Sequence, residues 1–250
     1  MSKLANKIVL VSGASKGIGA AIARQLAADG ATVIVNYSSS VAGADATVAA
    51  IKAAGGNAVA MQGDFSREAD IVRVFGAVQQ QYGKLDVLVN NAGVYQFGPL
   101  EELTEAHFRV HFDLNVMGLL MACREAVKLM GDAGGSIINI GSVVGRMSTP
   151  NAVVYSATKG AVDSLTVSLS KELGARKIRV NALNPGMIST EGTTSIGITE
   201  GEFGDYMVAH TPLGRIGTGA DVAPVASFLA SDDSAWVTGQ YIMVGGGVTF

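Results

Sequence analysis

The stretch KIVLVSGASKGIG, residues 7–19, combines the pattern of a buried strand with a glycine-rich turn and the beginning of a helix. Its first half is an apolar run rich in valine and isoleucine, as expected for a strand that is covered on both faces of a sheet. Apolar residues then recur every four positions over residues 17–29, which indicates a helix. A strand that leads through a tight turn into a helix is the first unit of an α/β fold.

The same alternation of strand and helix patterns continues along the chain. Strand-like apolar runs occur at residues 7–12, 31–36, 57–62, 85–90, 136–140, 178–183 and 240–244. Helical patterns occur at residues 17–29, 42–54, 67–82, 104–130, 153–174 and 220–230. Strands that alternate with helices favour a parallel sheet with right-handed crossovers. We therefore predict an α/β fold with a single doubly wound Rossmann domain over residues 1–250, in which a seven-stranded parallel sheet is flanked by helices on both faces.

One segment departs from this alternation. Residues 186–217 are rich in glycine, threonine and serine, and a short helix is expected only near residues 200–208. Long irregular segments in compact α/β domains are often lids or substrate loops. The segment is therefore expected to cover a binding site.

The composition excludes several classes of protein. The chain has 250 residues, of which 48% are hydrophobic and 16% charged, with 32 glycines and a net charge of -3. These values exclude intrinsic disorder, and the lack of a lysine or arginine run argues against nucleic-acid binding. The mean hydropathy is +0.34, but glycines interrupt the longest uncharged stretch, residues 234–250, so no membrane span is expected. A single cysteine and the lack of a signal-peptide pattern predict a cytoplasmic protein.

The glycines after the first strand have a spacing suited to phosphate binding. They allow a tight turn and the close approach of a pyrophosphate to backbone N–H groups at a helix N-terminus. The spacing G-x-x-x-G-x-G differs from the common G-x-G-x-x-G, so the interpretation depends on the strand before it and the helix after it. An ordinary glycine-rich turn is the alternative. The candidate cofactor-binding residues of this loop are Gly13, Ser15, Lys16, Gly17, Ile18 and Gly19.

Residues 13–17 also match the G-x-S-x-G nucleophile elbow of hydrolases. Hydrolase folds place further strands and an oxyanion loop before the elbow, whereas a single strand precedes this one. A catalytic triad through His210 is conceivable, but no pattern supports it. The nucleotide-binding interpretation is therefore favoured.

The end of the second strand favours NADP over NAD. NAD-binding folds carry an acidic residue about 20 positions after the glycine loop, where it binds the ribose 2′-hydroxyl. Asn36 stands there, followed by Tyr37 and Ser38, and Lys16 adds a positive charge from the loop. A carboxylate would repel a 2′-phosphate, whereas amide, hydroxyl and ammonium groups can bind one. A plain solvated loop is the alternative for the serines.

Tyr155 and Lys159 form the pair with the clearest chemistry. They are four residues apart in a helical pattern and therefore share one helix face. A free tyrosine has a pKa of about 10, and a neighbouring ammonium is expected to lower it toward the range that acid–base catalysis needs. Ser142 follows a strand, at the sheet edge that carries active sites in such folds. A tyrosine and a lysine four residues apart are common on helix surfaces. The catalytic interpretation of this pair therefore depends on the motifs around it.

Six motifs occur in register along the chain. They are Ser12-Gly13-x-x-x-Gly17-Ile18-Gly19, Asn90-Asn91-Ala92-Gly93, Leu114-Asn115-Val116, Ser142, Tyr155-x-x-x-Lys159 and Pro185-Gly186-x-x-x-Thr190. Together they resemble the short-chain dehydrogenase/reductase family, in order and spacing, from about residue 4 to residue 250. No single motif is decisive, but the set of six is specific. Ser12 stands where threonine is commonest, and either hydroxyl can brace the turn.

The resemblance implies an NADP(H)-dependent oxidoreductase that interconverts a carbonyl group and an alcohol by hydride transfer. Tyr155 would protonate the carbonyl oxygen during reduction, and Ser142 would hydrogen-bond to the same oxygen. Lys159 would lower the pKa of Tyr155 and hold the hydroxyls of the nicotinamide ribose. Asn115 would fix a water molecule in a proton relay to Lys159.

The resemblance also implies positions along the cofactor. Asp64 would contact the adenine amino group, and Ile188 with Thr190 would hold the carboxamide. The cofactor-binding residues implied beyond the first loop are Asp64, Phe65, Asn91, Ala92, Gly93, Tyr155, Lys159, Pro185, Gly186, Ile188 and Thr190. A homotetramer is likewise implied, with the helices at residues 104–130 and 153–174 pairing with symmetry mates.

The substrate is expected to be a small carbonyl compound or its alcohol. The residues expected around the pocket are Tyr95, Gln96, Val143, Val144, Met147, Met187 and the segment 191–210. This mostly apolar lining suits a ketone or acyl carbonyl of modest size.

Two alternatives to a general carbonyl reductase or alcohol dehydrogenase remain. The first is a reductase of 3-oxoacyl groups on acyl carrier protein, an acidic partner that needs a basic docking patch. Residues 130–135 carry no basic residue, which disfavours it. A sparse patch could still form from Arg124, Lys128, Lys171 and Arg176. The second is a sensor that binds NADP without turnover, and the complete set of acid–base residues argues against it.

No metal site is predicted. His107 and His111 stand four apart on an expected helix, a spacing that can bind metal, but no third ligand is evident. Cys123 lies in an apolar stretch and is expected to be an inert, packed thiol.

Overall fold

The computed structural model describes residues 2–195 and 197–248, so positions 1, 196, 249 and 250 of the predicted domain lie outside the described residues. The strands of this part of the chain are β1 (Ile8–Val11), β2 (Thr32–Tyr37), β3 (Asn57–Gln62), β4 (Val87–Asn90), β5 (Gly135–Ile140), β6 (Ile178–Pro185), β7 (Ile188–Ser189), β8 (Gly217–Thr218) and β9 (Tyr241–Val244). Seven of them form one sheet in the order β3-β2-β1-β4-β5-β6-β9, and all its pairings are parallel. The predicted seven-stranded parallel sheet is confirmed.

Helices cover both faces of this sheet. They are α1 (Gly17–Ala28), α2 (Val41–Ala53), α3 (Glu68–Tyr82), α4 (Glu105–Phe112), α5 (Leu119–Leu129), α6 (Val144–Met147), α7 (Val153–Leu173), α8 (Glu191–Ser195), α9 (Gly201–Ala209) and α10 (Gly219–Ala230). The helix predicted over residues 104–130 is divided, because a π-helical segment, Asp113–Gly118, separates α4 from α5. Such wider turns often occur at functional sites.

Alternate residues of β1 enter two separate cores. Val9 and Val11 belong to the core that includes α1 and α10, whereas Ile8 and Leu10 belong to the core that includes α3, α5 and α7. Successive side chains of a strand point to opposite faces of its sheet. Burial on both faces therefore explains why the strands show little polar alternation and why the chain needs few charges.

The strand order places two loops at one crevice. β1 has β2 on one side and β4 on the other, so the chain turns away in opposite directions after β1 and after β4. In open α/β sheets, ligands bind at such a point, outside the carboxyl ends of the strands. The glycine-rich loop follows β1 and Asn91 follows β4, so the fold brings both to this crevice.

The segment over residues 186–217 contains more regular structure than predicted. β7 and β8 pair in parallel as a small second sheet, and α8 and α9 lie between them in the chain. α9 corresponds to the short helix expected near residues 200–208. No helix in the described part of the chain is both long and apolar enough to cross a membrane.

Candidate active site

The loop after β1 has the backbone conformation that its glycines permit. Gly13 and Gly17 have φ values of 62° and 59°, in the left-handed region that favours glycine. A Cβ atom on Gly13 would lie 2.9 Å from the Cα atom of Ala92. The loop therefore runs directly against the segment after β4, with no room for a side chain between them.

Ser12 and Asn91 connect these two segments. The Ser12 hydroxyl accepts hydrogen bonds from the N–H groups of Asn91 and Ala92, both at 3.0 Å. The Asn91 side chain donates to the carbonyls of Ser12 and Gly13 at 2.9 and 3.0 Å. Asn91, Ala92 and the exposed Gly93 thus lie at the predicted crevice, although the Asn91 amide is occupied in holding the loop.

A carboxylate occupies the N-terminus of α1. Glu191 accepts a hydrogen bond from the Gly17 N–H at 2.9 Å, and the side chain of Thr190 lies beside Gly17. A helix N-terminus favours anions because its first N–H groups have no partner within the helix. The loop therefore already binds one negative group, which is the property that a pyrophosphate site requires.

Asn36 does not present its side chain to this crevice, contrary to the prediction. The residue is only 1% exposed, and its amide nitrogen donates to the carbonyls of Met61 and Gly63 at 3.2 and 3.1 Å. Its amide oxygen accepts from the Gly13 N–H at 3.3 Å. The side chain is directed inward because Asn36 is a residue of β2, which continues through Tyr37, and successive side chains of a strand point to opposite faces.

The residues just after β2 are better placed for a 2′-phosphate. Ser38 and the two serines after it are exposed, as is Lys16 in the glycine-rich loop. The two loops are close together, since a Cβ atom on Gly43 would lie within 2.8 Å of both the Ser15 carbonyl and the Ser40 hydroxyl. The serines after β2 therefore lie beside the glycine-rich loop that carries Lys16.

The side chains of three further residues that were predicted to bind the cofactor pack inside the fold. Phe65 is buried, with its ring centroid 6.2 Å from that of Phe75, so its side chain is not a cofactor contact. Ile18 and Ile188 pack in the core beside α1, so any contact from them must come from the main chain. These apolar side chains follow the motif residues in sequence but point away from the crevice.

Asp64, Pro185 and Gly186 make local hydrogen bonds near the sheet edge. One carboxylate oxygen of Asp64 accepts from the N–H and hydroxyl groups of Ser66 at 2.9 and 2.7 Å. The Pro185 carbonyl accepts from the Val143 N–H at 3.0 Å. A Cβ atom on Gly186 would lie 2.8 Å from the Cα atom of Gly245, so the strand end can approach that segment only as glycine.

Tyr155, Lys159 and Ser142 come together at the carboxyl edge of the sheet. The Lys159 ammonium is 5.6 Å from the centre of the Tyr155 ring and donates to the Ile140 carbonyl at 2.8 Å, at the end of β5. Ser142 lies two residues after β5, close enough to the Tyr155 side chain to lower the pKa of its hydroxyl. The fold thus assembles the tyrosine, the lysine and the serine that the sequence singled out.

The pKa values of this group differ from the prediction. Burial raises the pKa of Tyr155 to about 12, and the Ser142 hydrogen bond opposes that rise. Burial lowers the pKa of Lys159 to about 8, and the carboxylate of Asp163 opposes that fall. The Lys159 ammonium is directed to the Ile140 carbonyl, and burial decides the direction in which the pKa of Tyr155 shifts. The hydroxyl of Tyr155 therefore keeps its proton at physiological pH.

Asn115 lies in the π-helical segment and connects the loop after β4 to α7. Its side chain accepts from the Val94 N–H at 2.9 Å and donates to the Val94 carbonyl at 2.9 Å and the Thr158 hydroxyl at 3.2 Å. The amide is thus occupied, and its side chain positions the loop next to Lys159. The sequence did not single out Thr158, because a buried threonine within a helix has no distinctive pattern.

Two aromatic rings contact the ring of Tyr155. The centroid of Tyr95, a predicted pocket residue, lies 6.2 Å away with an interplanar angle of 61°. The centroid of Phe97, which the sequence analysis did not select, lies 6.1 Å away at 88°. The alternation of aromatic residues at 95 and 97 is the signal that could have identified it. Gln96, between them, has an exposed side chain.

The other predicted pocket residues lie on elements near the sheet edge. Val143 is buried, within 3.4 Å of a Cβ atom built on Gly245. Val144 and Met147 begin and end α6, and both are partly buried. The Met187 carbonyl accepts from the Gly217 N–H at 3.0 Å, which joins the two ends of the predicted lid segment.

A large open groove lies on a different face of the molecule. It has a volume of about 690 Å³ and runs between α6, α7 and β9. Arg146 crosses it, with its Nε atom 3.0 Å from Asp163 and its guanidinium 3.7 Å above the Tyr241 ring centre. Tyr155 and Ser142 do not line this groove, so it is not the predicted substrate pocket.

His111 and Cys123 are buried within the fold and do not form a metal site with other residues that the structure describes. The two ring nitrogens of His111 are hydrogen-bonded, to the His107 carbonyl at 2.9 Å and to the Gln96 N–H at 3.0 Å. Burial lowers the pKa of His111 and raises that of Cys123 to about 12, so the thiol is unreactive. Among residues 2–195 and 197–248, no three histidine, cysteine or acidic side chains are grouped as metal ligands would be.

Comparison with known proteins identifies the family. A family model described as enoyl-(acyl carrier protein) reductase matches residues 13–249, nearly the whole chain. The chain is a short-chain dehydrogenase/reductase. The resemblance carried by the six motifs is thereby confirmed.

Relatives of this short-chain dehydrogenase/reductase include several oxidoreductases. The chain is 55% identical to an uncharacterised oxidoreductase of Methylorubrum extorquens, over 99% of this chain and 100% of that protein. It is 39% identical to a 3-oxoacyl-(acyl-carrier-protein) reductase of Staphylococcus aureus, over 97% of this chain and 98% of that protein. The crystal structure of the angucycline C-6 ketoreductase LanV with bound NADP has a TM-score of 0.92 at 33% identity, covering 99% of this chain and 97% of that chain. The family and the Rossmann-type fold are therefore secure.

Proposed function

We propose that this short-chain dehydrogenase/reductase reduces a ketone or aldehyde to an alcohol with NADPH, and that it also catalyses the reverse reaction. The observation that carries this proposal is the group formed by Tyr155, Ser142 and Lys159 at the carboxyl edge of the sheet. The similarity to LanV, a ketoreductase with bound NADP, supports both the ketone substrate and the cofactor.

The crevice fits a dinucleotide phosphate. Its glycine-rich loop binds the Glu191 carboxylate on the Gly17 N–H, so a pyrophosphate would replace a negative group that is already accommodated. The exposed Lys16 and Ser38 border the other end, where they would bind a 2′-phosphate. When bound, NADPH supplies the hydride, and the residues of this chain bind and orient the reactants.

Tyr155 supplies the proton for carbonyl reduction. Its hydroxyl, kept neutral by burial, donates its proton to the substrate oxygen while the carbonyl carbon receives the hydride. Ser142 donates a hydrogen bond to the same oxygen and stabilises the charge that develops on it. The buried ammonium of Lys159 stabilises the phenolate that Tyr155 becomes. In the reverse direction the same phenolate accepts the proton of the alcohol.

Reduction of 3-oxoacyl groups on acyl carrier protein is the second candidate, supported by the relative from Staphylococcus aureus. Two of the four basic residues that could form its docking patch are paired with carboxylates of this chain. Arg124 contacts Glu68 at 2.7 Å and Glu125 at 2.8 Å, and Lys128 contacts Glu125 at 2.6 Å. Because an acidic carrier would have to compete with these carboxylates, a free ketone is favoured.

The substitution Tyr155→Phe tests the proposal. It keeps the ring and removes the acidic proton, so we expect kcat for NADPH-dependent ketone reduction to fall by about 10²–10⁴-fold. NADPH binding, measured by fluorescence titration, should change little, and the matched variant Tyr82→Phe should keep its activity. Near-normal turnover by Tyr155→Phe would refute the proton-donor role. Tight NADPH binding without turnover of any ketone, aldehyde or 3-oxoacyl substrate by the native protein would favour a sensor.

A further inference from the structure

The ring of Tyr155 is flanked by an aromatic wall, which we define as Tyr95 and Phe97. Both rings meet that of Tyr155 edge to face, at 6.2 and 6.1 Å between centroids, and they lie 6.3 Å from one another. These separations are within the range at which aromatic pairs attract. Three rings thus border the point at which the substrate oxygen must meet the Tyr155 hydroxyl.

Phe97 leaves much of its ring open beside the catalytic group. Its side chain is 45% exposed, whereas Tyr95 is partly buried, and burial raises the pKa of the Tyr95 hydroxyl. An exposed phenylalanine next to the partly buried Tyr155 offers apolar surface to a molecule bound in the site. The remainder of the substrate therefore contacts Phe97 once its carbonyl oxygen reaches Tyr155.

The aromatic wall is held on several sides. Between its two rings, the Gln96 N–H donates to the buried His111 at 3.0 Å, and the Gly98 N–H donates to the Asn151 carbonyl at 2.8 Å. The Tyr95 hydroxyl packs on α8, where a Cβ atom on Gly192 would lie 2.5 Å from it. A surface supported in this way is preorganised, so it selects ligands that match its shape.

We propose that the substrate is a ketone whose ring system contains a flat aromatic ring. This inference rests on the proposed carbonyl reduction and specifies its substrate class. A planar ring can stack on the open ring of Phe97 and meet the edge of Tyr95 while its carbonyl oxygen reaches Tyr155. A flexible acyl chain or a puckered saturated ring cannot match these ring faces and gains only general apolar contact.

Two ketones with one carbon skeleton test the inference, namely 2-tetralone and trans-2-decalone. Each has an unconjugated carbonyl group in a bicyclic frame, and only the first contains an aromatic ring. We expect kcat/KM for 2-tetralone to exceed that for the decalone by roughly five- to a hundredfold, if each ring of the wall contributes as an ordinary aromatic pair. Equal values, or a preference for the decalone, would overturn the inference and leave the proposed function intact.

Variants of Phe97 locate the effect. Phe97→Leu should lower kcat/KM for 2-tetralone roughly two- to tenfold and leave the decalone value within about twofold. Phe97→Tyr, which keeps a ring, should retain the preference, and Phe108→Leu, at an exposed phenylalanine of α4, should change neither value. Equal losses on both ketones with Phe97→Leu would show a structural role only, and would contradict the inference.

A binding measurement separates this inference from the proposed function. Calorimetric titration of the NADPH-saturated protein with 2-naphthol and with decahydro-2-naphthol involves no turnover, because the reduced cofactor cannot oxidise an alcohol. Tighter binding of 2-naphthol that is lost in Phe97→Leu, without reduction of any ketone, would support the aromatic site and overturn the proposed function. Ketone reduction together with equal binding of the two alcohols would support the proposed function and overturn the aromatic site.

Discussion

Asp163 lies one helical turn after Lys159 and is buried beside it. Its carboxylate accepts from the Asn184 amide at 3.0 Å and from Arg146 at 3.0 Å. The negative charge opposes the effect of burial on Lys159 and so favours the protonated ammonium. Asp163 contacts neither reactant in the proposed reaction, so we consider it a positioning residue for the charge on Lys159.

We expect Asp163→Asn to move the alkaline limb of kcat/KM to lower pH. Removal of the carboxylate leaves burial unopposed, so the pKa of Lys159, already lowered to about 8, should fall further. The measurement is the pH dependence of ketone reduction. Asp132→Asn, at an exposed position, should leave the profile unchanged. A lower kcat with an unshifted alkaline limb in Asp163→Asn would indicate a packing role and contradict the prediction.

The position of Asn36 changes what its substitution should do. In Asn36→Asp, a carboxylate with no N–H to donate would face the carbonyls of Met61 and Gly63 inside the fold. An unsatisfied buried polar group costs about 1–3 kcal/mol, so we expect the free energy of unfolding to fall by that order. Urea unfolding followed by circular dichroism checks this value.

Ser38→Asp is the matched control for Asn36→Asp. Its side chain is exposed, so the free energy of unfolding should change by less than about 0.5 kcal/mol. The new carboxylate should weaken NADPH binding relative to NADH, because it would repel a 2′-phosphate. An unchanged cofactor preference in Ser38→Asp would show that the 2′-phosphate is recognised elsewhere.

At this scale the sequence predicts reacting groups better than the direction of a side chain. Tyr155 and Lys159 were predictable because helical spacing places them on one face whatever the exact limits of α7. The direction of the Asn36 side chain was not predictable. β2 extends one residue further than predicted, and alternate residues of a strand point in opposite directions. Phe65 was misplaced because a motif gives no information on which neighbouring side chain enters the core.

Among the elements, α8 is the one that bears on the cofactor crevice. Its first residue, Glu191, binds the Gly17 N–H with a carboxylate where the pyrophosphate of the proposed cofactor belongs. The two anions compete for the same N–H group, and the energy of the bond with Glu191 must be given up when the dinucleotide enters. We therefore expect Glu191 to reduce the affinity of the site for its cofactor.

We expect Glu191→Gln to bind NADPH roughly two- to fivefold more tightly. A neutral amide can still accept the hydrogen bond but loses the charge interaction with the helix N-terminus, which contributes about 0.3–1 kcal/mol at an exposed site. Fluorescence titration measures the affinity, and the gain should diminish at high salt. Glu200→Gln, an exposed change in the same segment, should have no such effect. Weaker binding by Glu191→Gln would instead make Glu191 part of the cofactor site.

Long elements were predictable from periodicity, and short or irregular ones were not. The limits of the seven sheet strands differ from the predicted ones by at most two residues. The π-helical segment between α4 and α5 escaped prediction because one wider turn hardly disturbs an apolar pattern with a period of 3.6 residues. β7 and β8 have two residues each, too few to show any alternation.

On the scale of the whole molecule, the surface keeps large apolar side chains that neither core uses. Phe108 and Val110 on α4, Met117 in the π-helical segment, and Val153 on α7 are all at least 41% exposed, and Trp236 is fully exposed. Extensive exposed apolar surface is typical of an interface. The helices involved are those that the sequence implied as subunit contacts.

We therefore expect a homotetramer in solution, with a mass about four times the 25.6 kDa of the chain. Light scattering coupled to size-exclusion chromatography measures it directly. Val110→Glu, which places a charge on the exposed face of α4, should yield a smaller species with an unchanged far-ultraviolet circular dichroism spectrum. A native protein of monomer mass would refute the expected assembly.

Composition was informative about the molecule as a whole. The scarcity of charge follows from a sheet that is covered on both faces, as the two separate cores of β1 demonstrate. The positions of the glycines were less predictable. A glycine is often required because a segment that is distant in sequence packs against its backbone. Gly186 faces Gly245, and Gly13 faces Ala92, and neither approach is visible in the local sequence.

Two consecutive residues of α8 reach both halves of the active site. Glu191 binds the glycine-rich loop, and Gly192 supports the Tyr95 hydroxyl. A dinucleotide that displaces Glu191 would therefore act on the helix that borders the Tyr95 hydroxyl. We expect this linkage to favour an ordered reaction, in which the nucleotide arrives before the ketone, the alcohol departs first, and the oxidised nucleotide leaves last.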